Sequence, residues 1–309
     1  VRLELPELVD RFRGRPLMTV TTPEPTPRML EMLGAFADPA LCVAVQPNPT
    51  LIAISDAFGD LRETKVSAVL AIGGGSVMDT AKLLATWSGL PLGVVPTTAG
   101  TGAEATEFAT AYKGGVKQSV PCRVATFRVV DSAAALEMPP YLAACTGMDV
   151  LCHGLEAGWA NGGRQTSAAF ACQAVEQALE HLVPSVVDPT AKTRGKMLMA
   201  AFRAGQAINI AKTTAAHALS YELTTQHDIP HGHAVAMMML RVLRMREERG
   251  AKAKVSAAEF EALMDAVGLD KKLPTPAREW RVDPGRLAND PICGADDVAT
   301  LTEGVDSAA

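Results

Sequence analysis

Apolar positions in the first 140 residues fall into short unbroken runs that alternate with helically spaced segments. The runs are "PLMTVTT" (16–22), "ALCVAV" (40–45), "VSAVLAIGGG" (66–75) and "PLGVVPT" (91–97). Between them, "PEPTPRMLEMLGAF", "LIAISDAFGDLRET" and "SVMDTAKLLATWS" carry apolar residues at helical intervals. Unbroken apolar strands suit a sheet covered on both faces, and strand–helix alternation predicts a parallel α/β sheet. After Pro139-Pro140 the pattern changes to long Ala-, Leu- and Met-rich segments, with helices expected over 166–186, 192–211, 231–249 and 256–267. The predicted organisation is an α/β domain over 1–138 and an all-helical domain over 139–309. The closing stretch "PICGADDVATLTEGVDSAA" is polar and is expected to fray.

Composition narrows the partners. The chain has 309 residues, 48% apolar and 20% charged, with a net charge of −5. That length accommodates two ordinary domains with their own cores. The mild negative charge provides no basic stripe for nucleic acid and no cationic face for a membrane, so a small-molecule partner is expected. No apolar run reaches the roughly 18 residues of a membrane span. The opening "VRLELPELVDRF" alternates charged and apolar residues and carries no signal-peptide core. Six scattered cysteines without a C-x-x-C pair read as reduced, mostly packed thiols, and a cytoplasmic location is the expectation.

Two polar loops interrupt this pattern. In "AIGGGSVMDTAK" (71–82), Gly73, Gly74 and Gly75 stand between a strand and a helix. Glycine there lets backbone approach a phosphate, and the helix start points unpaired N–H groups at it. Ser76 is a candidate cap and phosphate donor. The loop is neither G-x-G-x-x-G nor a P-loop, and a plain tight turn is the simpler reading of it alone. "PTTAGTGAEAT" (96–106) follows the next strand, so the two loops would flank one crevice at the carboxyl ends of neighbouring strands. Together they favour a nucleotide.

Four of the six histidines, His217, His227, His231 and His233, fall in "HALSYELTTQHDIPHGHAVA" (217–236). Asp149 and His153 in "DVLCHGLEA" are spaced i, i+4 and would share one helix face. A carboxylate and several imidazoles make a donor set for Fe(II) or Zn(II), although the spacing alone equally suits a surface pair and a histidine-rich loop.

In order and spacing these four motifs resemble the iron-containing (group III) alcohol dehydrogenases over residues 16 to 240. The resemblance implies the dehydroquinate synthase-like, iron-alcohol-dehydrogenase fold: a Rossmann-like dinucleotide-binding domain followed by a helical metal-binding one. It assigns Asp149, His153, His217 and His231 as ligands of Fe(II), with Zn(II) as the alternative ion. His227 is then an exposed neighbour, His233 a residue lining the site, and His181 a surface or packing histidine. The implied cofactor is NADPH or NADH. Gly73, Gly74, Gly75 and Ser76 would hold its pyrophosphate, with Asp79 and Lys82 alongside. Thr97, Thr98 and Thr101 would flank the crevice, and Lys117 would lie near nicotinamide and substrate. Many members place an aspartate at the end of the first strand; Thr22 stands there instead, removing repulsion of a 2′-phosphate and favouring NADPH. Tyr221 replaces a further histidine of some members, so a tyrosine, a water or the cofactor ribose would relay the proton.

The histidine-rich segment is most similar to the phosphonoacetaldehyde reductase branch, which implies reduction of phosphonoacetaldehyde to 2-hydroxyethylphosphonate. Lys117, Arg123, Arg164 and Lys212 are candidate cations for its phosphonate. A simple short-chain alcohol dehydrogenase is the alternative within the family, and a homodimer is the implied assembly. A dehydroquinate-synthase-like lyase shares the architecture, and a non-enzymatic binding protein with an inherited site is the third reading.

Overall fold

The unbroken apolar runs form the middle of one parallel sheet. A computed structural model describes residues 1–36, 39–274, 280 and 282–303. Its strands are β1 (Arg2–Leu3), β2 (Leu17–Thr21), β3 (Leu41–Ala44), β4 (Ala68–Gly73), β5 (Leu92–Pro96), β6 (Phe108–Lys113), β7 (Val116–Pro121) and β8 (Phe127–Val129). Six of them pair in parallel in the order β1-β8-β5-β4-β2-β3. Strands β2, β4 and β5 are buried along their whole length, as their lack of polar alternation requires.

Side-chain alternation along β4 divides the core in two. Val69 and Ala71 join Val77, Ala81 and Leu84 of α4 (Gly75–Ser88) and Ile54 and Leu61 of α3 (Leu51–Glu63). Ala68, Leu70 and Ile72 pack instead with Leu8 and Phe12 of α1 (Leu5–Phe12) and Met29 and Met32 of α2 (Pro27–Gly34). A short helix, α5 (Ser132–Leu136), follows β8, capped by Asp131 accepting from the Ala134 N–H.

Three features depart from the expected pattern. The opening residues form β1 and an amphipathic α1, with the Glu4 N–H donating to the Glu7 carboxylate at 2.7 Å. Strand β8 inserts between β1 and β5. Strands β6 and β7 pair antiparallel around Gly114 and Gly115, whose φ values of 57° and 77° suit the two left-handed positions of a tight hairpin.

From Pro139 onward the described residues are helical: α6 (Pro140–Trp159), α7 (Gln165–Val187), α8 (Ala191–Ala211), α9 (Ala215–Gln226), α10 (His231–Glu248), α11 (Ala257–Ala266), α12 (Pro284–Ala288) and α13 (Val298–Thr302). The closing stretch is more ordered than its polarity suggests, holding a 3-10 turn at Ala295–Asp297 before α13; residues 304–309 lie outside the described residues. The chain separates into two compact units, Val1–Met138 with Thr190–Leu198, and Pro139–Pro189 with Met199–Ala309. The expected linear division put 190–198 in the helical part. Those residues cluster with the sheet unit because the buried Arg194 donates to the Met138 carbonyl at 3.1 Å and Gly195 abuts Ser132. Among the described residues no helix is long and apolar enough to cross a membrane.

Candidate metal centre and dinucleotide loop

Helix α6 is buried over most of its length, which forces its polar residues to find partners inside the protein. Asp149 and His153 lie one turn apart on it, with Nδ1 of His153 3.7 Å from Oδ2 of Asp149. His217 comes from the first turn of α9, and its Nε2 stands 3.3 Å from Oδ1 of Asp149. His231 opens α10, and its ring meets that of His217 edge-on at 5.6 Å. Asp149, His217 and His231 each offer a ligand atom, and these atoms all lie within 4.8 Å of one another. His153 is not in that tight group; it stacks on His217 with ring centroids 4.4 Å apart.

Two details decide how this group is held. Glu156, fully buried one turn beyond His153, accepts from the N–H groups of Thr214, Ala216 and His217 and from the Thr214 hydroxyl. It thereby satisfies the orphan donors at the start of α9, which Thr214 does not cap with its own side chain. The same carboxylate accepts from Nδ1 of His217 at 2.5 Å, so that in the neutral ring Nε2 carries the lone pair, on the Asp149 side. Gly232 is the second detail. A Cβ there would fall 2.1 Å from the Cys145 carbonyl oxygen and 3.0 Å from Asp149 Cβ, so only glycine lets α10 bring His231 this close to α6.

Burial opposes ionisation of Asp149, but His153, His217 and His231 outweigh it and hold the carboxyl far below its ordinary range. Burial likewise opposes Glu156, which His217 and the Thr214 donors keep below the usual carboxylate value. Asp149 Oδ1 and His217 Nε2 are both shielded from water and make no well-directed hydrogen bond. Two orphaned buried donor atoms in a mixed oxygen and nitrogen set fit a divalent cation.

The neighbours divide into two groups. Tyr221 stacks on His231 at 6.3 Å, and the Arg286 guanidinium lies 5.6 Å over the Tyr221 ring. Arg286 also bonds Thr213 and pairs with Asp283 at 3.2 Å. His233, expected to line the site, is spent elsewhere. Its Nδ1 meets the Tyr141 hydroxyl at 3.0 Å and its Nε2 the Asp270 carbonyl at 2.7 Å, so both nitrogens are engaged with partners other than the metal group. A step of two residues turns a side chain more than halfway round a helix, away from His231. His227 is half-buried and not exposed, with Nε2 shielded from water. His181 is buried, 3.5 Å from Glu180.

In the sheet unit, the register pairs Gly73 with Pro96, and the Thr97 N–H donates to the Gly73 carbonyl at 2.9 Å. The two polar loops interlock. A Cβ on Gly74 would meet Thr98 Oγ1 at 3.1 Å, and one on Gly75 would meet Thr101 Oγ1 at 2.9 Å. The glycines therefore admit the threonines of the second loop, leaving the start of α4 as a bare helix N-terminus. Gly74 is the N-cap residue, so Ser76 sits inside the first turn and does not cap the helix. Thr22, half-buried, directly follows β2.

Asp79 and Lys82, expected beside the pyrophosphate, are both buried. Lys82 donates to the Ala103 carbonyl, the Thr106 hydroxyl and the Phe108 carbonyl at 2.8, 2.7 and 2.5 Å. Burial pushes the Asp79 carboxyl up, against the pull of Lys82, the Thr110 N–H and Lys117. Lys117 is half-buried on β7. Arg123 donates to the Leu90 carbonyl and Lys212 to that of Asn209, while Arg164 is exposed where α7 begins.

Comparison with known proteins agrees with this arrangement. The family model for iron-containing alcohol dehydrogenase matches residues 2–132, and that for the C-terminal part of the Fe-containing alcohol dehydrogenase family matches 143–280. The chain belongs to the iron-containing alcohol dehydrogenase family. Phosphonoacetaldehyde reductase of Streptomyces viridochromogenes is 34% identical over 266 residues, covering 75% of this chain and 64% of that protein. The 1-propanol dehydrogenase PduQ of Citrobacter freundii is 30% identical over 222 residues, covering 67% and 60%. The chain therefore spans less than two thirds of the length of these relatives. The crystal structure of sulfoacetaldehyde reductase from Bifidobacterium kashiwanohense in complex with NAD+ superposes with a TM-score of 0.83 at 24% identity, over 97% of this chain and 95% of that one. That likeness is one of fold.

Proposed function

We propose that the protein is a metal-dependent aldehyde reductase linked to a nicotinamide dinucleotide, and that phosphonoacetaldehyde is its substrate. The observation that carries the class is the convergence of Asp149, His217 and His231, with Glu156 fixing the nitrogen His217 presents. Asp149, His153, His217 and His231 would hold Fe(II), or Zn(II), which these donors also accept. When bound, the metal supplies Lewis-acid polarisation of a carbonyl oxygen and the dinucleotide supplies hydride.

The chain's own residues do the rest. Burial of Asp149 and His217 excludes water from the charged group and strengthens every interaction in it. Tyr221 Oη is the donor proposed to pass a proton to the developing alcohol, since His233 is engaged elsewhere. The Gly73–Gly75 loop and the first turn of α4, with Ser76, would receive the pyrophosphate, walled by Thr98 and Thr101. The Thr97 N–H ties that loop to the end of β5 through the Gly73 carbonyl, and Asp79 and Lys117 would be further contacts to the dinucleotide. Thr22 offers no carboxylate to repel a 2′-phosphate, which favours NADPH over NADH.

Two observations support the phosphonate: the relative at 34% identity reduces phosphonoacetaldehyde by name, and Arg286 carries a guanidinium onto the Tyr221 ring. A second reading, reduction of an uncharged short aldehyde, draws on the 1-propanol dehydrogenase relative and on the pairing of Arg286 with Asp283. A panel of phosphonoacetaldehyde and propanal, each with NADPH and NADH after loading with Fe(II) and separately Zn(II), distinguishes them. The expected result is stoichiometric NADPH consumption, with phosphonoacetaldehyde preferred by kcat/KM. Arg286→Gln should then raise KM for phosphonoacetaldehyde by about tenfold, the loss of one charge-assisted hydrogen bond of roughly 1.5 kcal/mol, and leave propanal unchanged. Equal rates on both aldehydes reject the phosphonate assignment. Turnover without net cofactor consumption would point to the lyase.

A further inference from the structure

A second reactive cluster lies on the helical unit, away from the metal group's own residues. Cys172 and Glu176 stand one turn apart on α7, and Lys254 comes from the link between α10 and α11. Lys254 Nζ lies 2.6 Å from Cys172 Sγ and 2.9 Å from Glu176 Oε1, and Sγ lies 3.0 Å from the same carboxylate oxygen. Nitrogen and sulfur held this close are nearer than an N–H donor and a sulfur acceptor ordinarily come, and suit a single atom bridging them.

We propose that Cys172 and Lys254 form a reductant-sensitive N–O–S cross-link with molecular oxygen as the oxidant. Access is available to a small oxidant: Cys172 and Lys254 both line a cavity of about 280 Å³ behind Gly154, Leu155 and Trp159 of α6. Cys122, Cys145, Cys152 and Cys293 are buried, and desolvation pushes Cys122 and Cys145 up to about 11 and Cys293 up to about 12. Cys42 is exposed on β3.

The chemistry balances with groups present in the cluster, a solvent base and one O2. The Lys254 ammonium, held by sulfur and by Glu176 and open to solvent, first gives a proton to water or buffer base. The S–H bond and one N–H bond then break, and S–O and O–N bonds form. One atom of O2 becomes the bridge, and the other leaves as water with the two hydrogens. Sulfur and nitrogen together give up the four electrons that O2 accepts. The closed loop spans a sequence separation of 82 residues. It fastens α7 beside Ala171 and Val175, against which Gly154 of α6 packs.

The test compares the full-length protein kept in air-saturated buffer with a sample kept under dithiothreitol. Tryptic peptide mass spectrometry of the aerated sample should find one species joining the Cys172 and Lys254 peptides, heavier than their sum by one oxygen and lighter by two hydrogens. Dithiothreitol should abolish it and lower the thermal midpoint. Cys172→Ser and Lys254→Met, both at partly or fully exposed side chains, should each abolish the species and the air-dependent rise in midpoint. Recovery of Cys172 as free thiol, sulfinic acid or an intermolecular disulfide in the aerated protein overturns the proposal, as does the same cross-link persisting in Lys254→Met.

Discussion

At the scale of single residues, the buried carboxylate of Glu156 matters as much as the four residues that the sequence motifs nominate. It turns one nitrogen of His217 inward and keeps the other for Asp149. Glu156→Gln should weaken metal affinity about 10–100-fold, the usual cost of losing such a partner, while helical content stays constant. Chelator competition with circular dichroism checks both, and unchanged affinity would make Glu156 a helix cap only. Glu104 makes a separate pH prediction. Burial pushes its carboxyl above the ordinary value, and its own backbone, Arg128 and Lys82 do not offset this. A carboxyl bound more tightly to its proton in the folded state stabilises fully below the ordinary carboxylate pKa and loses that contribution as pH rises through the raised value. Glu104→Gln should therefore raise the thermal midpoint at pH 7, with the gain disappearing near about pH 4. A gain independent of pH would refute the assignment of the cost to ionisation. Glu156 sits in the quoted "DVLCHGLEA" motif, three residues after His153, so its helix face was legible; its partners in α9, far along the chain, were not.

At the scale of elements, small residues set the distances on which the chemistry depends. Gly232 allows α10 to cross α6 at Cys145 and Asp149, and Gly154 allows α6 to lie on Ala171 and Val175 of α7. Gly232→Ala must push the helices apart, costing about 1–3 kcal/mol as overpacking and drawing His231 away from Asp149. Thermal denaturation and metal content should fall together. A variant that melts normally and keeps its metal would show that the crossing tolerates the methyl group. Neither glycine advertises this in sequence, because a glycine inside a helix reads as a weak helix position and not as a contact. The β6–β7 hairpin is the converse case. Its Gly114–Gly115 turn was available to inspection, but strands this polar lack the apolar runs by which the others are recognised.

At the scale of the whole molecule, a metal held as proposed by residues from three helices would tie stability to ligand. An ion that binds the folded state alone adds about 4 kcal/mol when present at a thousandfold excess over its Kd. Chelation should lower the thermal midpoint and leave dinucleotide affinity largely intact, because the glycine loop and its threonines belong to the sheet unit. Calorimetry with and without chelator, alongside a dinucleotide titration, checks the pair, and an unmoved midpoint would mean that the buried donors do not bind metal in the folded protein.

Local order determined a great deal. Burial on both faces wrote the central strands as unbroken apolar runs, and helical periodicity set Asp149 and His153 one turn apart. The glycine run between β4 and α4 was visible, and the close approach it admits is that of Thr98 and Thr101. Tertiary structure alone decided the rest. It brought His217 and His231 to Asp149 and left His153 stacked beside them; it spent His233 on Tyr141 and Asp270; and it committed the Lys82 ammonium to Ala103, Thr106 and Phe108. The physical reason is that periodicity fixes the face from which a side chain departs, whereas its partner depends on how closely two distant backbones pack. That distance is set by residues such as Gly232 and by the need of every buried polar atom for a partner, neither of which is a property of a short stretch of chain.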